Sequence, residues 1–154
     1  MLRVDARAAV FDDAAYSLRI DFTSFEATRQ HHIGSSPHPD RYDPDTWTDE
    51  YAFLTHPGQA DIQTTLLLDY RTNVASYPRW QNRLRAVQPP TLVVWGKYNP
   101  SFTVAGATAY AGDVPKAEIH MLEAEHFALD EATDEIASLV RDFLERLALN
   151  KEHG

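Results

Sequence analysis

The chain has 154 residues, 44% of them hydrophobic and 24% charged, the balance of a folded globular protein and too apolar for wholesale disorder. A formal net charge of −9 and the absence of cysteine argue against phosphate-backbone and anionic-lipid partners, disulfides, thiol nucleophiles and thiolate metal sites. Arg3, Asp5, Arg7, Asp12 and Asp13 interrupt any apolar signal core near Met1, and no run approaches the roughly 18–20 apolar residues of a membrane span, so a cytoplasmic address is expected.

From Ala6 to Trp80 the apolar residues recur at helical spacing, broken by Gly and Pro. Thr23-Ser24-Phe25-Glu26 matches a capping box, in which a hydroxyl and a carboxylate each cover a free N–H at a helix start, and Gly34 stops that helix. Pro37, Pro39 and Pro44 make a loop. Asp45 then caps a helix whose Trp47, Tyr51 and Leu54 lie at i, i+4 and i+7, and Pro57-Gly58 ends it. A further helical stretch runs to about Val74. Pro78 suits the first turn of a separate helix that aligns Trp80, Leu84 and Val87.

After Pro89-Pro90 the pattern changes. Thr91-Leu92-Val93-Val94-Trp95 is a short apolar run rich in β-branched residues and stopped by Gly96, the signature of a strand buried on both faces. Val104 to Tyr110 forms a helix ending at Gly112, Ala117 to Leu122 a second strand, and Ile136, Leu139, Val140, Phe143 and Leu147 mark one stripe of a last helix. Strand, helix, strand, helix implies two parallel strands joined by a crossover. Two such strands alone leave ladder groups unmatched on both sides and an apolar face short of cover, so the polypeptide reads as part of a larger fold or of an assembly.

In open α/β sheets functional groups collect beyond the carboxyl ends of the strands. Two segments qualify: Trp95-Gly96-Lys97-Tyr98-Asn99-Pro100, which presents Asn99, and Glu123-Ala124-Glu125-His126-Phe127, which presents His126. Adjacent parallel strands bring these loops together, and a histidine oriented by a side-chain acceptor there is the base half of a hydrolytic triad.

VVWGKYNP, GATAYAGDVPKAEIHML and EHFALDEATDEIASLVRDFL, within Pro90 to Leu144, are similar to the end of α/β-hydrolases, from the penultimate strand to the last helix. EATRQHH, DPDTW and DYRTNVASYPRWQ resemble the helical lid of one bacterial subgroup of that family, so the resemblance covers nearly the whole chain from about Asp21. It implies an α/β fold with a lid over residues 1–88, a C-terminal βαβα part of the core over 89–150 and a short tail at 151–154. It also implies His126 as general base and Asn99 in the position that normally holds an aspartate. Three departures stand out. None of the seven serines, nor any aspartate, has glycine two residues away on both sides, as a nucleophile elbow requires. Asn99 can accept a hydrogen bond through its amide oxygen but brings no charge to an imidazolium. Glu125 stands where the resemblance expects glycine.

Local explanations stand beside these. Asn99-Pro100 is a natural turn pair, and His126 on local grounds alone is a loop histidine. His31, His32 and His38 show no recognised metal-ligand spacing. Trp47, Tyr77 and Trp80 either line an apolar substrate site or simply pack. The acidic residues from Asp130 to Glu135 start the last helix, where its dipole favours them. The expectation is a truncated α/β-hydrolase, by ancestry acting on ester, epoxide or similar bonds, inactive alone and needing no cofactor or metal. The alternatives are one half of a split hydrolase, or a non-catalytic binding or self-associating module using the open sheet edge. A small-molecule substrate is expected only if a missing half completes the site.

Overall fold

The computed structural model describes residues 24–34, 36–100 and 102–152. The expected helical spacing over residues 6–23, and Thr23 of the capping box, lie outside these. The elements are α1 (Phe25–Ile33), a 3-10 turn (Pro39–Arg41), α2 (Asp45–Leu54), α3 (Gln59–Val87), β1 (Leu92–Gly96), α4 (Val104–Thr108), α5 (Tyr110–Asp113), β2 (Glu118–Leu122), α6 (Ala128–Glu131) and α7 (Thr133–Glu152). No helix among the described residues is long and apolar enough to cross a membrane. Among the described residues the chain is mixed α/β and mostly helical, with one two-stranded parallel sheet. It divides into two compact units: residues 24–32 with Pro44–Trp80, and Ile33–Asp43 with everything from Gln81 onward.

In the first unit, Ser24 is the residue that starts α1. Its hydroxyl oxygen accepts the Ala27 N–H at 3.1 Å, one position later than the capping box implies, while Glu26 accepts from Arg29 and Gln30 along the helix. The helix stops at Ile33, before Gly34. In α2, Asp45 is the first helical residue instead of the cap, because Pro44 before it already has helical dihedrals. Trp47 is buried beside His32, whose Nε2 lies 2.5 Å from a Glu50 carboxylate oxygen, and Phe25 meets Tyr51 edge-on at 5.5 Å. Gly58 takes φ +85°, a left-handed conformation that suits glycine in the turn between α2 and α3.

The separation expected between a helix to Val74 and another from Pro78 is not there. Gln59–Val87 is one helix of 29 residues with Pro78 inside it. Proline lacks the N–H that would bond the Val74 carbonyl, but its fixed φ is helical, so it costs one ladder bond without forcing the chain out.

In the second unit, β1 and β2 pair in parallel register from Leu92 opposite Glu118 to Gly96 opposite Leu122. Each begins one residue later than the apolar runs suggest. The crossover is two short helices, α4 and α5, instead of one. Val93, Ala107, Val114, Leu122 and Ala124 are buried and form the small core of this sheet layer. Along α7, Ile136, Leu139, Phe143 and Leu147 are half-buried, whereas Val140 on the expected stripe is exposed.

Candidate active site

The site is built where both strands end. β1 closes on Gly96, and the following backbone crosses to the β2 side: Lys97 N–H donates to the Leu122 carbonyl and Tyr98 N–H to the Ala124 carbonyl, each at 3.0 Å. This approach requires glycine. A Cβ on residue 96 would sit 2.0 Å from the Glu125 carbonyl oxygen and 2.7 Å from that of Ala124, both backbone atoms that cannot rotate away. The turn closes with Asn99 N–H on the Gly96 carbonyl at 3.3 Å.

Asn99 and His126, the two chemistry-bearing residues of the sequence reading, meet here. Asn99 Nδ2 lies 3.0 Å from His126 Nδ1. The amide orientation follows from a second contact, because Phe102 N–H approaches the same side chain at 2.8 Å and only Oδ1 can accept it. The amide NH2 therefore faces the imidazole. It can only donate, so Nδ1 is the acceptor and the neutral ring carries its proton on Nε2. The amide oxygen that could have accepted from the imidazole is instead taken by the Phe102 backbone N–H. The chemical consequence is specific. In a serine triad the acid accepts from Nδ1–H and leaves Nε2 bare to take a proton. Here the arrangement holds the opposite tautomer.

Phe102, which no sequence motif marks, ties this site together. Its N–H sets the amide, its ring stacks on His126 at 5.5 Å with planes 19° apart, and its carbonyl accepts Trp95 Nε1–H at 2.8 Å. Phe127 meets the imidazole edge-on at 4.8 Å. Nothing in the sequence distinguished Phe102 from any other loop aromatic. At the rim, Lys97 pairs with Glu123, and Tyr98 O–H donates to the other Glu123 oxygen at 2.6 Å. The Lys97 ammonium and then the Tyr98 hydroxyl hold the Glu123 carboxyl below its ordinary range, and Glu123 in turn raises Lys97. Both side chains are well exposed, so this clamp adds little stability.

Glu125, in the place where glycine was expected, is buried at 1% exposure, while His126 is half-buried. Of the aromatic residues proposed for substrate, all belong to the first unit. Trp47 is 7% exposed in its packing, Trp80 is 42% exposed and pairs with Tyr77 at 5.7 Å, and the Tyr77 and Tyr70 hydroxyls are 2.7 Å apart. Among the described residues no group of three or more His, Asp or Glu side chains is placed to hold a metal ion.

No family model matches the chain. A Saccharomyces cerevisiae protein, the uncharacterized hydrolase YNR064C, is 40% identical over 101 residues, covering 66% of this chain and 34% of that protein. The chain thus spans about a third of the length of the curated relative it matches. A solved structure of Est816, described as an N-acyl homoserine lactone degrading enzyme, matches with a TM-score of 0.54 and 24% identity, over 92% of this chain and 52% of that one. The first likeness supports a hydrolase-like ancestry, and the second shows a shared fold.

Proposed function

We propose that residues 1–154 are the lid and histidine-bearing part of an α/β-hydrolase, whose nucleophile and oxyanion hole come from polypeptide outside these residues. The observation that carries the reading is the 3.0 Å contact of Asn99 with His126 beyond the carboxyl ends of two adjacent parallel strands. In the completed site, His126 Nε2 takes the proton of the nucleophile as its oxygen attacks an ester-type carbonyl. It returns that proton to the leaving oxygen when the bond to carbon breaks, and a water molecule then releases the acyl group. An epoxide or similar bond fits the same base. Before acting, the ring must move its resting proton from Nε2 to Nδ1, against the Asn99 amide. An asparagine in the acid position costs about 10⁴ in kcat in the serine-protease case. Residues 1–154 alone, without a nucleophile, are expected to be inactive. Within the first unit, exposed Trp80 and its neighbour Tyr77 offer an apolar surface, whereas Trp47 is buried.

A second reading, in which a separate chain supplies the missing half, would use the same outer side of β1. Among the described residues β1 pairs with β2 only, and a shallow groove runs past Thr91 to Trp95 and Tyr110. Intact mass and sequence of the native species carrying this segment test both readings. A Gly-x-Ser-x-Gly or Gly-x-Asp-x-Gly elbow is expected, in the same chain under the first reading and in a co-purifying chain under the second. A homodimer of 17.4 kDa chains with no elbow anywhere would overturn both and leave a non-catalytic module.

A further inference from the structure

The acidic run after His126 conceals a buried carboxylate. Glu131, the last residue of α6, is 6% exposed and turns back toward the loop that leaves β2. Its Oε2 accepts the Glu125 N–H at 2.5 Å, and its Oε1 accepts the Ser36 hydroxyl. Ser36 is oriented for this, because its oxygen already accepts the His38 N–H at 2.9 Å and its proton is left for Glu131. Arg41 donates to the Glu131 backbone carbonyl at 3.4 Å. The buried Tyr42 phenol lies against the same group, and burial together with the Glu131 carboxylate pushes it above its ordinary range.

We infer that Glu131 is a positioning residue for His126: it fixes the amide of Glu125, one residue before the histidine, and ties that point to the Ser36–Tyr42 segment. The inference rests on His126 being the chemically active group. The argument is one of opposed restraints. From the β1 side, Tyr98 N–H holds the Ala124 carbonyl, and the backbone of Gly96 lies against the Glu125 carbonyl. From the α6 side, Glu131 holds the amide that joins those two residues. With its amide and both flanking carbonyls restrained, Glu125, the residue before His126, has little freedom left. The ring therefore leaves the backbone at a set angle, toward Asn99. Hydrogen bonds to a carboxylate are roughly twice as strong as neutral ones, which suits a group that must hold a loop in place.

The test uses the full chain with Glu131→Gln and, separately, Ser36→Ala. The glutamine keeps the shape, but its NH2 must face one of the two donors. Site-resolved amide exchange of Glu125 and the imaging of the His126 ring nitrogens by ¹⁵N spectroscopy are the readouts, with the Lys97 and Glu118 amides of the sheet as internal references. For Glu131→Gln, Glu125 exchange is expected to accelerate about 10- to 100-fold, as loss of one charge-assisted bond implies, with displaced His126 ring signals and unchanged reference amides. Ser36→Ala is expected to shift the same signals in the same direction by less. Unmoved Glu125 and His126 signals in either folded variant would overturn the inference. If Glu131→Gln does not fold, Ser36→Ala decides alone. None of these readouts depends on turnover, so a failure of the hydrolase reading shows separately, in the absence of an elbow from the native species.

Discussion

Replacing Asn99 with aspartate is expected to move the proton of neutral His126 from Nε2 to Nδ1. In the native site the Asn99 amide donates to Nδ1 at 3.0 Å, a bond with a net contribution of about 0.5–1.5 kcal/mol. The other tautomer would set N–H against NH2 and strand a donor. That costs about 1–3 kcal/mol when fully buried, and the lower end applies because both side chains are half-buried. Together these give about 1.5–2.5 kcal/mol, a bias of roughly 10- to 70-fold toward Nε2–H. An aspartate can only accept, and a charge-assisted bond from Nδ1–H of about 1.5–3 kcal/mol reverses the bias. Long-range ¹H–¹⁵N correlation of the imidazole reads this directly, with signals assigned by their loss in His126→Gln. Wild type should show a bare Nδ1 and a protonated Nε2, and Asn99→Asp the reverse. A protonated Nδ1 in the wild type, or no change in the variant, would refute the amide orientation on which the reasoning depends. In the completed enzyme the same substitution is expected to raise kcat by up to about 10⁴.

Gly96→Ala forces a methyl against two backbone oxygens; a loss of about 1–3 kcal/mol, or roughly 2–10 °C in Tm, is expected in a thermal melt. The Tyr42 phenol, raised by burial and by Glu131, should stay protonated in the folded protein above the ordinary phenol range. Its contribution is fully present below about pH 10 and is lost as pH rises, since the unfolded chain then binds fewer protons; an ultraviolet titration differenced against Tyr42→Phe should show this phenol ionising only on alkaline unfolding. Glu123 runs the other way. Its contribution, small because the pair is exposed, is present above about pH 4.3 and lost as pH falls through its lowered pKa, and Lys97→Ala should move its carboxyl titration up toward the ordinary range, with the Tyr98 hydroxyl still holding it partly down.

The strands, the last helix and the meeting of Asn99 with His126 were legible because each rests on a local signal: a β-branched run, a 3.6-residue stripe, and loops that parallel pairing must juxtapose. Pro78 misled because a missing N–H reads as a stop, although one lost bond is tolerated within 29 helical residues. The amide orientation was not legible, since it depends on where the Phe102 N–H falls. Glu131 was hidden for a related reason. Its neighbours in sequence suit a helix start, and only the fold shows this one carboxylate turned inward onto Ser36 and Glu125.

Turnover of ester and epoxide substrates by the native species, compared with residues 1–154 alone and with His126→Ala in the native species, tests the central claim most directly. Hydrolysis by the native species alone, abolished by His126→Ala, is the expected result. Hydrolysis by residues 1–154 alone, or a native activity indifferent to His126, would contradict it.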